Sequence, residues 1–454
     1  VGVALLEKEE DVSFGVSKGN SGVVHAGFHH SPSTLKAALE VKGSMMFDAL
    51  QGELHFPFKR CGVVVAGFSV EEMGSVEGLY QQGVQNGSVG VELCSRERIL
   101  ELVGSLNPDV VGGLYAPAGG IVEPYRFVFS VVESAVKNGV DVITGFEVAA
   151  KEYNQGVYTV ISSDERKLRA RYVINAAGLH ADRISGVFGA ERYKITPRKG
   201  EYFIIDRNAS YIPSRVVFPA PAEHTKGILV IPTVEGTALI GPTAQEVDDK
   251  EDAATSSENF EKIFYFARRL VPEISEKDII NSFSGLRPVV RDEDFIIEIS
   301  QKAPNFINVG GIQSPGLTAS PAIAEFVKNL LKKAGCRLAE RPDYDPLIQE
   351  PERVRNAWPS YVDNLIKKDR RYGRVVCRCE NVSEAEVVEA IKKGHHTLDG
   401  IKFYTRAQMG RCQGGFCTYK IIKIIQRETG LSFTEITKRG KNSQVLKAPI
   451  KIGG

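Results

Sequence analysis

The chain has 454 residues, 57 lysines and arginines against 56 acids, 43% apolar and 25% charged residues. That length can bury about three domain-sized cores, and a net charge of +1 gives no electrostatic basis for binding nucleic acid or a membrane surface. No apolar run approaches the ~18 residues of a membrane-crossing helix, no signal peptide is visible, and seven cysteines are unlike a secreted disulfide framework, so a cytoplasmic protein is expected.

The first six residues, Val1-Gly2-Val3-Ala4-Leu5-Leu6, form an apolar run that ends in Glu7. This pattern suits a buried parallel strand with an acid at its carboxyl end. In dinucleotide-binding folds an acid after the second strand accepts hydrogen bonds from ribose hydroxyls. A surface glutamate closing a strand has the same local sequence. The glycine-rich turn G-x-G-x-x-G belongs about 20 residues before such an acid, and it occurs nowhere in this sequence, which also begins without Met. The expectation is that a first strand, glycine turn and first helix lie upstream of Val1.

Asn20-Ser21-Gly22-Val23-Val24-His25-Ala26-Gly27-Phe28 follows. Its small residues let backbone press against a flat ring, and Asn20, Ser21 and His25 supply hydrogen-bonding groups. With Ser31-Pro32 and Leu35-Lys36-Ala37 behind it, the stretch resembles the flavin-contacting loop of the D-amino-acid-oxidase-like superfamily. The nearest branch is the L-2-hydroxyglutarate oxidase and glycerol-3-phosphate dehydrogenase group. The resemblance implies FAD contacts at Asn20, Ser21, His25 and Gly27, with Glu7 on the ribose. His25 is a catalytic-base candidate as well as a core or flavin-shell residue. His29 and His30 suit pocket lining or surface.

Ser33 to Leu50 has helix-forming composition after a Ser33 N-cap, and Lys59 to Phe68 reads as a strand. Tyr125 to Asn138 is a helical run feeding a strand at Val140–Ile143, a β/α rhythm. Val148–Tyr153 and Val157–Ser162 alternate around Asn154-Gln155-Gly156, which signals a hairpin. Lys167 to Ile174 reads as a strand running into Asn175-Ala176-Ala177-Gly178-Leu179-His180-Ala181-Asp182. The superfamily has a recurrent N-A-A-G run at this point. The resemblance therefore adds Val148, Ala176, Ala177, Gly178 and Asp182 to the cofactor contacts.

From about Ile195 to Ile299 the chain looks strand-rich, with strands expected at Gly200–Asp206, Val216–Phe218, Gly227–Thr233 and Thr237–Gly241. Within it stands Ser284-Gly285-Leu286-Arg287-Pro288. An arginine stays charged when buried and grips carboxylate or phosphate through a planar fork, and related flavin oxidases bind the substrate's anionic group with the arginine of this motif. A structural ion pair with Asp292, Glu293 or Asp294 is the alternative for Arg287, and Arg291 is a lesser helper. Asn308-Val309-Gly310-Gly311-Ile312-Gln313-Ser314-Pro315-Gly316-Leu317-Thr318 then resembles the superfamily's C-terminal flavin motif. It implies contacts from Gly310, Gly311, Ile312, Gly316, Leu317 and Thr318, with a helix starting after Ser320-Pro321 whose N-terminus favours negative charge on a reduced ring.

Residues 341–373 carry Pro342, Pro346, Pro351 and Pro359 and read as a linker. Cys377 and Cys379 then form C-x-C, and Cys412 and Cys417 form C-x4-C around Gln413-Gly414-Gly415-Phe416. Two close pairs suit a four-thiolate site, either structural zinc or a [2Fe–2S] cluster, and a disulfide is a third reading. The C-x-C pair is tighter than the usual zinc spacing. Ser383 with Glu386 makes a capping box for a helix to Lys393, and Thr418–Thr429 reads as a second helix. The arrangement resembles the BFD-like [2Fe–2S] domain in the form fused to flavin dehydrogenases, which implies Cys377, Cys379, Cys412 and Cys417 as iron ligands. Cys61, Cys94 and Cys336 read as buried or incidental thiols, and the basic tail with Lys438, Arg439, Lys441, Lys447 and Lys451 as solvated.

The expected fold is α/β: a Rossmann-like FAD-binding domain with a strand-rich α+β substrate domain, followed by a small helical BFD-like module. Residues 1–340 form the oxidoreductase, with FAD-binding parts about 1–60, 130–190 and 300–335 and a substrate domain about 61–125 and 191–299. Residues 341–373 are the linker, 374–432 the cluster domain and 433–454 the tail. The resemblance implies FAD-dependent oxidation of a small anionic hydroxy substrate, glycerol 3-phosphate first, with electrons leaving through the cluster to a second flavoprotein subunit. L-2-hydroxyglutarate or amino-acid oxidation is the alternative. A non-catalytic electron-transfer subunit is a third reading, which an anion-anchoring arginine would not serve.

Overall fold

The computed structural model describes residues 2–221 and 227–448. Val1 and Lys451, named above for a strand and the tail, lie outside the described residues. The chain forms two compact units. One comprises residues 15–127 and 147–346, the other 2–14, 128–146 and 347 onwards.

A nine-stranded sheet organises the first unit. Its order is Gln245–Glu246, Thr196–Ile205, Ala238–Gly241, Leu229–Pro232, Val216–Pro219, Val63–Gly67, Gly112–Ala116 and Glu92–Ser95, with Ile279–Val289 also on Thr196–Ile205. Neighbours are antiparallel except Val216–Pro219 against Val63–Gly67. The central strands read as unbroken apolar runs because both faces are covered. Val64, Val217 and Val230 face helix Glu258–Leu270, through Ile263, Phe264 and Ala267. Val63, Val65, Phe218 and Ile231 face the other side, where Val23, Ala26 and Phe28 of the Asn20–Phe28 loop complete the core. One sheet face thus seats the loop that carries His25.

A second layer pairs Val173–Asn175 in parallel with Phe306–Gly310, which pairs antiparallel with Ile296–Ile299. Helices Leu35–Leu54 and Gly316–Lys333 pack on it through Leu39, Ile307, Val309, Ala319 and Ile323. These helices cross closely at Gly43, where a Cβ would stand 2.2 Å from the Thr318 carbonyl oxygen. A separate meander, Val148–Asn154, Val157–Ser162 and Lys167–Ala170, includes Val148. Its hairpin turns at Gln155 and Gly156, both at positive φ, as the Asn-Gln-Gly sequence predicts.

The second unit by itself pairs Val3–Leu6 in parallel with Val140–Ile143. It continues from Leu347 with helices Pro359–Lys368, Glu384–Lys392, Leu398–Thr405 and Thr418–Thr429. Ser383 and Glu386 form the expected capping box, and helix Thr418–Thr429 has the predicted bounds. Asp11 Oδ2 meets His395 Nδ1 at 2.7 Å, and the His395 ring lies 4.6 Å from that of Phe129 and 4.8 Å from that of Tyr404.

Several expectations are corrected. Thr34, not Ser33, caps the first long helix, because its hydroxyl is the one that reaches the Ala37 N–H. Lys167–Ile174 is two strands in different sheets, broken before Val173. The helix expected after Pro321 starts at Gly316. Pro321 is its sixth residue and supplies no N–H to the Leu317 carbonyl, which accepts the Ser320 hydroxyl at 2.9 Å instead. The supposed linker contains helix Pro359–Lys368. The tail's Lys438, Arg439, Lys441 and Lys447 are exposed, as expected, while parts of its backbone are packed into the fold. Ile436 is 1% exposed, Thr437 bridges Gln444, and the Thr437 and Lys438 carbonyls accept the Leu398 and Asp399 N–H groups.

Candidate active site and cysteine centre

The Asn20–Phe28 loop is held from both sides. Gly19 and Gly285 touch so closely that a Cβ on Gly285 would lie 2.2 Å from the Gly19 oxygen. Asn20 Oδ1 accepts the Gly22 N–H at 2.8 Å, and Ser21 hydrogen-bonds the buried Tyr202 hydroxyl. Glu40 is fully buried on the first long helix and accepts the Gly27 N–H at 2.7 Å, with His30 Nε2 3.8 Å from its other oxygen. Gly27 itself sits at φ +90° against Val41. Glu40 went unremarked in the sequence because a single acid in a helical run reads as a solvent-facing residue.

His25 is 9% exposed. Its backbone N–H donates to Thr318 Oγ1 at 2.9 Å, and its Nε2 lies 3.2 Å from Ser314 Oγ. Two motifs almost three hundred residues apart therefore meet at this imidazole. Ser314 was not singled out from sequence, since nothing local to it announces a histidine partner. His29 packs its ring 4.8 Å from Phe218 and 4.2 Å from Phe28, a lining role.

Asn175 and Asn308 are register partners on adjacent parallel strands. Asn175 Nδ2 donates to Asn308 Oδ1 at 3.0 Å and to the Ala181 carbonyl at 2.8 Å. The pair fixes the Ala176-Ala177-Gly178 turn beside Gly310-Gly311-Ile312. Asn308 is 0% exposed, and its Nδ2 has no partner among the described residues. A buried donor left without an acceptor costs about 1–3 kcal/mol, which a polar group of a bound ligand would relieve. Gly178 and Gly311 are at positive φ. Asp182 is committed elsewhere. Its carboxylate holds Lys250 Nζ at 2.7 Å and accepts the Ile195 N–H. Burial pushes its pKa up, and Lys250 and the N–H groups outweigh that to hold it below the usual range.

Arg287 is partly buried on strand Ile279–Val289. Nη2 donates to the Thr243 carbonyl at 2.6 Å and the Lys199 carbonyl at 3.5 Å, and Nε to the Arg198 carbonyl at 3.3 Å. Burial lowers its pKa from the usual arginine value. The alternative ion pair with 292–294 is not present: Glu293 pairs with Arg198, and Asp294 accepts the Leu35 and Lys36 N–H groups. Arg287 has no carboxylate partner among the described residues, and none of its hydrogen bonds uses Nη1. Glu7, in the second unit, accepts the Glu9 N–H at 3.0 Å, and burial raises its pKa.

The four C-terminal thiols also lie in the second unit. Cys377 and Cys417 are each 1% exposed, while Cys379 is exposed and Cys412 half-buried. They associate across the two loops, Cys379 Sγ lying 3.5 Å from Cys412 Sγ and Cys377 hydrogen-bonding Cys417. The contacts cross between C-x-C and C-x4-C, as expected of a fold that brings the two pairs together. Among the described residues no three ligands close into a single-ion cage; two sulfur pairs are what two irons, each taking two thiolates, call for. The Cys417 thiol hydrogen bond brings the Cys377 pKa down to about 6, and Cys417 is correspondingly raised. Backbone N–H groups of Gln408 and Glu380 reach Cys377, and those of Phe416 and Gly414 reach Cys412. Such N–H bonds stabilise thiolate charge at a cluster. A Cβ on Gly410 would stand 2.2 Å from Cys379 Cβ, so this glycine permits the approach of the two loops.

Residues 1–330 match the family described as FAD dependent oxidoreductase, DAO. The chain belongs to this family. Residues 375–427 match the BFD-like [2Fe–2S] binding domain. This DAO-family chain is 40% identical over 458 residues to a protein of Caloramator mitchellensis named glycerol 3-phosphate dehydrogenase, covering 99% of this chain and 94% of the relative. It is 28% identical to the glycerol 3-phosphate oxidase of Mycoplasma pneumoniae, over 76% of this chain and 91% of the relative. The solved structure of the dithionite-reduced L-alpha-glycerophosphate oxidase of that organism with FAD bound superposes with a TM-score of 0.73, covering 77% of this chain and 92% of that one. Human mitochondrial L-2-hydroxyglutarate dehydrogenase is 26% identical, over 72% of this chain and 82% of the relative. The DAO-family enzyme is thus an FAD-dependent oxidoreductase with a BFD-like module, and its cofactors are FAD and a [2Fe–2S] cluster. The buried unsatisfied Asn308 donor and the paired thiols fit these groups.

Proposed function

We propose that the enzyme oxidises glycerol 3-phosphate to dihydroxyacetone phosphate and passes the electrons to a partner protein in the cytoplasm. The observation that carries this reading is the relative named glycerol 3-phosphate dehydrogenase, because the 40% identity extends over 99% of this chain and so includes the cysteine-bearing module. FAD supplies a two-electron acceptor and the [2Fe–2S] cluster a one-electron outlet. Asn20, Ser21, Gly27, the Ala176–Gly178 turn and the 310–318 stretch would hold the first, and Cys377, Cys379, Cys412 and Cys417 the second.

Arg287 would hold the phosphate. A partly buried guanidinium with an unused Nη1 and no carboxylate partner among the described residues retains its charge for an anionic ligand. His25 would take the substrate hydroxyl proton, and the Ser314 hydroxyl, 3.2 Å from its Nε2, orients the ring. The loop and Phe218 exclude water from that side. A second flavoprotein subunit is the partner this reading favours, and no helix among the described residues is long and apolar enough to cross a membrane.

Anaerobic mixing of the full-length holoenzyme with glycerol 3-phosphate, L-2-hydroxyglutarate or proline tests the reading. Glycerol 3-phosphate should bleach the flavin band. Bleaching by L-2-hydroxyglutarate alone would replace the substrate. Arg287→Ala should raise the KM for glycerol 3-phosphate by about 100-fold, the worth of a lost charge-assisted pair, and an unchanged KM would remove Arg287 from the site.

A further inference from the structure

We propose that the solvent-facing surface beside Cys379 and Cys412 is a docking surface for an acidic protein that carries a one-electron redox centre. The proposal rests on the reading that electrons leave through the cluster, and adds the surface and the chemistry of its partner.

The thiols are asymmetric. Cys377 and Cys417 are buried, Cys379 is exposed and Cys412 half-exposed, so one edge of the centre opens to solvent. Electron transfer favours the shortest path to a partner, and that edge is the one a protein can approach.

The same edge is apolar where nothing in the fold requires it. Phe416 is 81% exposed and immediately precedes Cys417, Tyr419 is 63% exposed, and Val375 is 42% exposed two residues before Cys377. Contacts tie these residues into one surface. Lys420 Nζ lies 3.5 Å from the Val375 carbonyl, joining the Val375–Cys377 strand to the Thr418–Thr429 helix. Lys423 Nζ stands 4.6 Å from the Tyr419 ring centroid. Exposed aromatic side chains adjoining a functional centre and rimmed by polar residues mark an interaction site.

The rim has one sign. Residues 374–380 and 406–423 contain Arg374, Arg378, Arg406, Arg411, Lys420 and Lys423, with Glu380 as the only acid. Glu380 is 1% exposed and taken up by Arg355 and Arg406, and Arg374 is paired with Glu384. Arg378, Lys420 and Lys423 are exposed basic side chains of this surface. Exposed basic side chains at the electron outlet steer an acidic partner into an encounter. Each encounter moves one electron from the reduced cluster to the partner's oxidised centre. Two encounters clear the two electrons of one alcohol oxidation, and the two protons go to water.

Binding of the holoenzyme to two probes, an acidic flavodoxin and an acidic plant-type ferredoxin, is measured by calorimetry, with basic cytochrome c as the charge control. Both acidic probes should bind, with affinity falling as salt rises, and cytochrome c should not. Tyr419→Ser and Lys420→Glu should each weaken binding by at least about tenfold while retaining the visible absorption of the cluster. Unaltered binding by both variants overturns the proposal. So does equal binding of cytochrome c, failure of the wild type to bind either acidic probe, or preferential binding to anionic vesicles or to a second copy of the chain. If the probes bind as expected but are not reduced by substrate-reduced enzyme in stopped flow, the surface stands and the outlet reading fails.

Discussion

At the residue scale, His25 is where the site is most tightly specified. Thr318 anchors its backbone, Ser314 meets its Nε2, and Glu40 fixes Gly27 two residues on. A base role and a packing role predict different losses. As the base, His25→Gln should lower kcat by about 10²–10⁴-fold with KM changed by only a few-fold, and the acid limb of the pH–rate profile should disappear. A residue that only shapes the pocket would instead release FAD, measured by flavin fluorescence after gel filtration, and leave the pH profile of the remaining holoenzyme unmoved. His25 itself was legible in the sequence from its small-residue surroundings, but its two supporting side chains were not. Ser314 and Glu40 are ordinary polar residues until folding brings distant segments to them.

At the scale of elements, the close crossing of helices Leu35–Leu54 and Gly316–Lys333 sets where Thr318 stands under His25. Gly43 makes that crossing by bringing its Cα against the Thr318 carbonyl. Gly43→Val should destabilise the protein by about 2–3 kcal/mol through overpacking and displace Thr318, so that denaturant midpoint and FAD retention fall together. An unchanged midpoint would mean the helices have room to part. Helix existence was readable from composition, and the Ser383–Glu386 box and the Thr418–Thr429 bounds were read correctly because caps and glycine stops are local signals. Thr34 displaced Ser33 as the cap because the choice between neighbouring hydroxyls depends on which one reaches an N–H, and composition does not encode that. Lys167–Ile174 fails similarly. A continuous strand pattern does not say that its two halves will pair with different sheets.

At the scale of the molecule, the cysteine centre and the His25 site belong to different compact units, which predicts separable chemistry. Cys377→Ser should abolish the visible absorption and the EPR signal of the cluster. Substrate should still bleach the flavin, and reduction of one-electron acceptors should fall by at least about 100-fold. Loss of flavin bleaching in this variant would show that the two centres are not separable. The unit boundaries do not follow the linear domain plan. Residues 2–14 and 128–146 cluster with the chain beyond Leu347, through contacts such as Asp11–His395 and Glu133–Lys393, and no sequence pattern announces an ion pair between residues so far apart.

The sequence by itself determined the family and both cofactors. Those rest on short motifs whose residue types are dictated by local chemistry: glycines where backbone must approach a ring or a cluster, thiols where metal must bind. Only the tertiary structure decided which thiols meet, that Arg287 is free of the acids at 292–294, and that Ser314, Glu40 and the Asn175–Asn308 pair support the site. These features depend on through-space distance between segments remote in the chain, which packing sets and local composition does not.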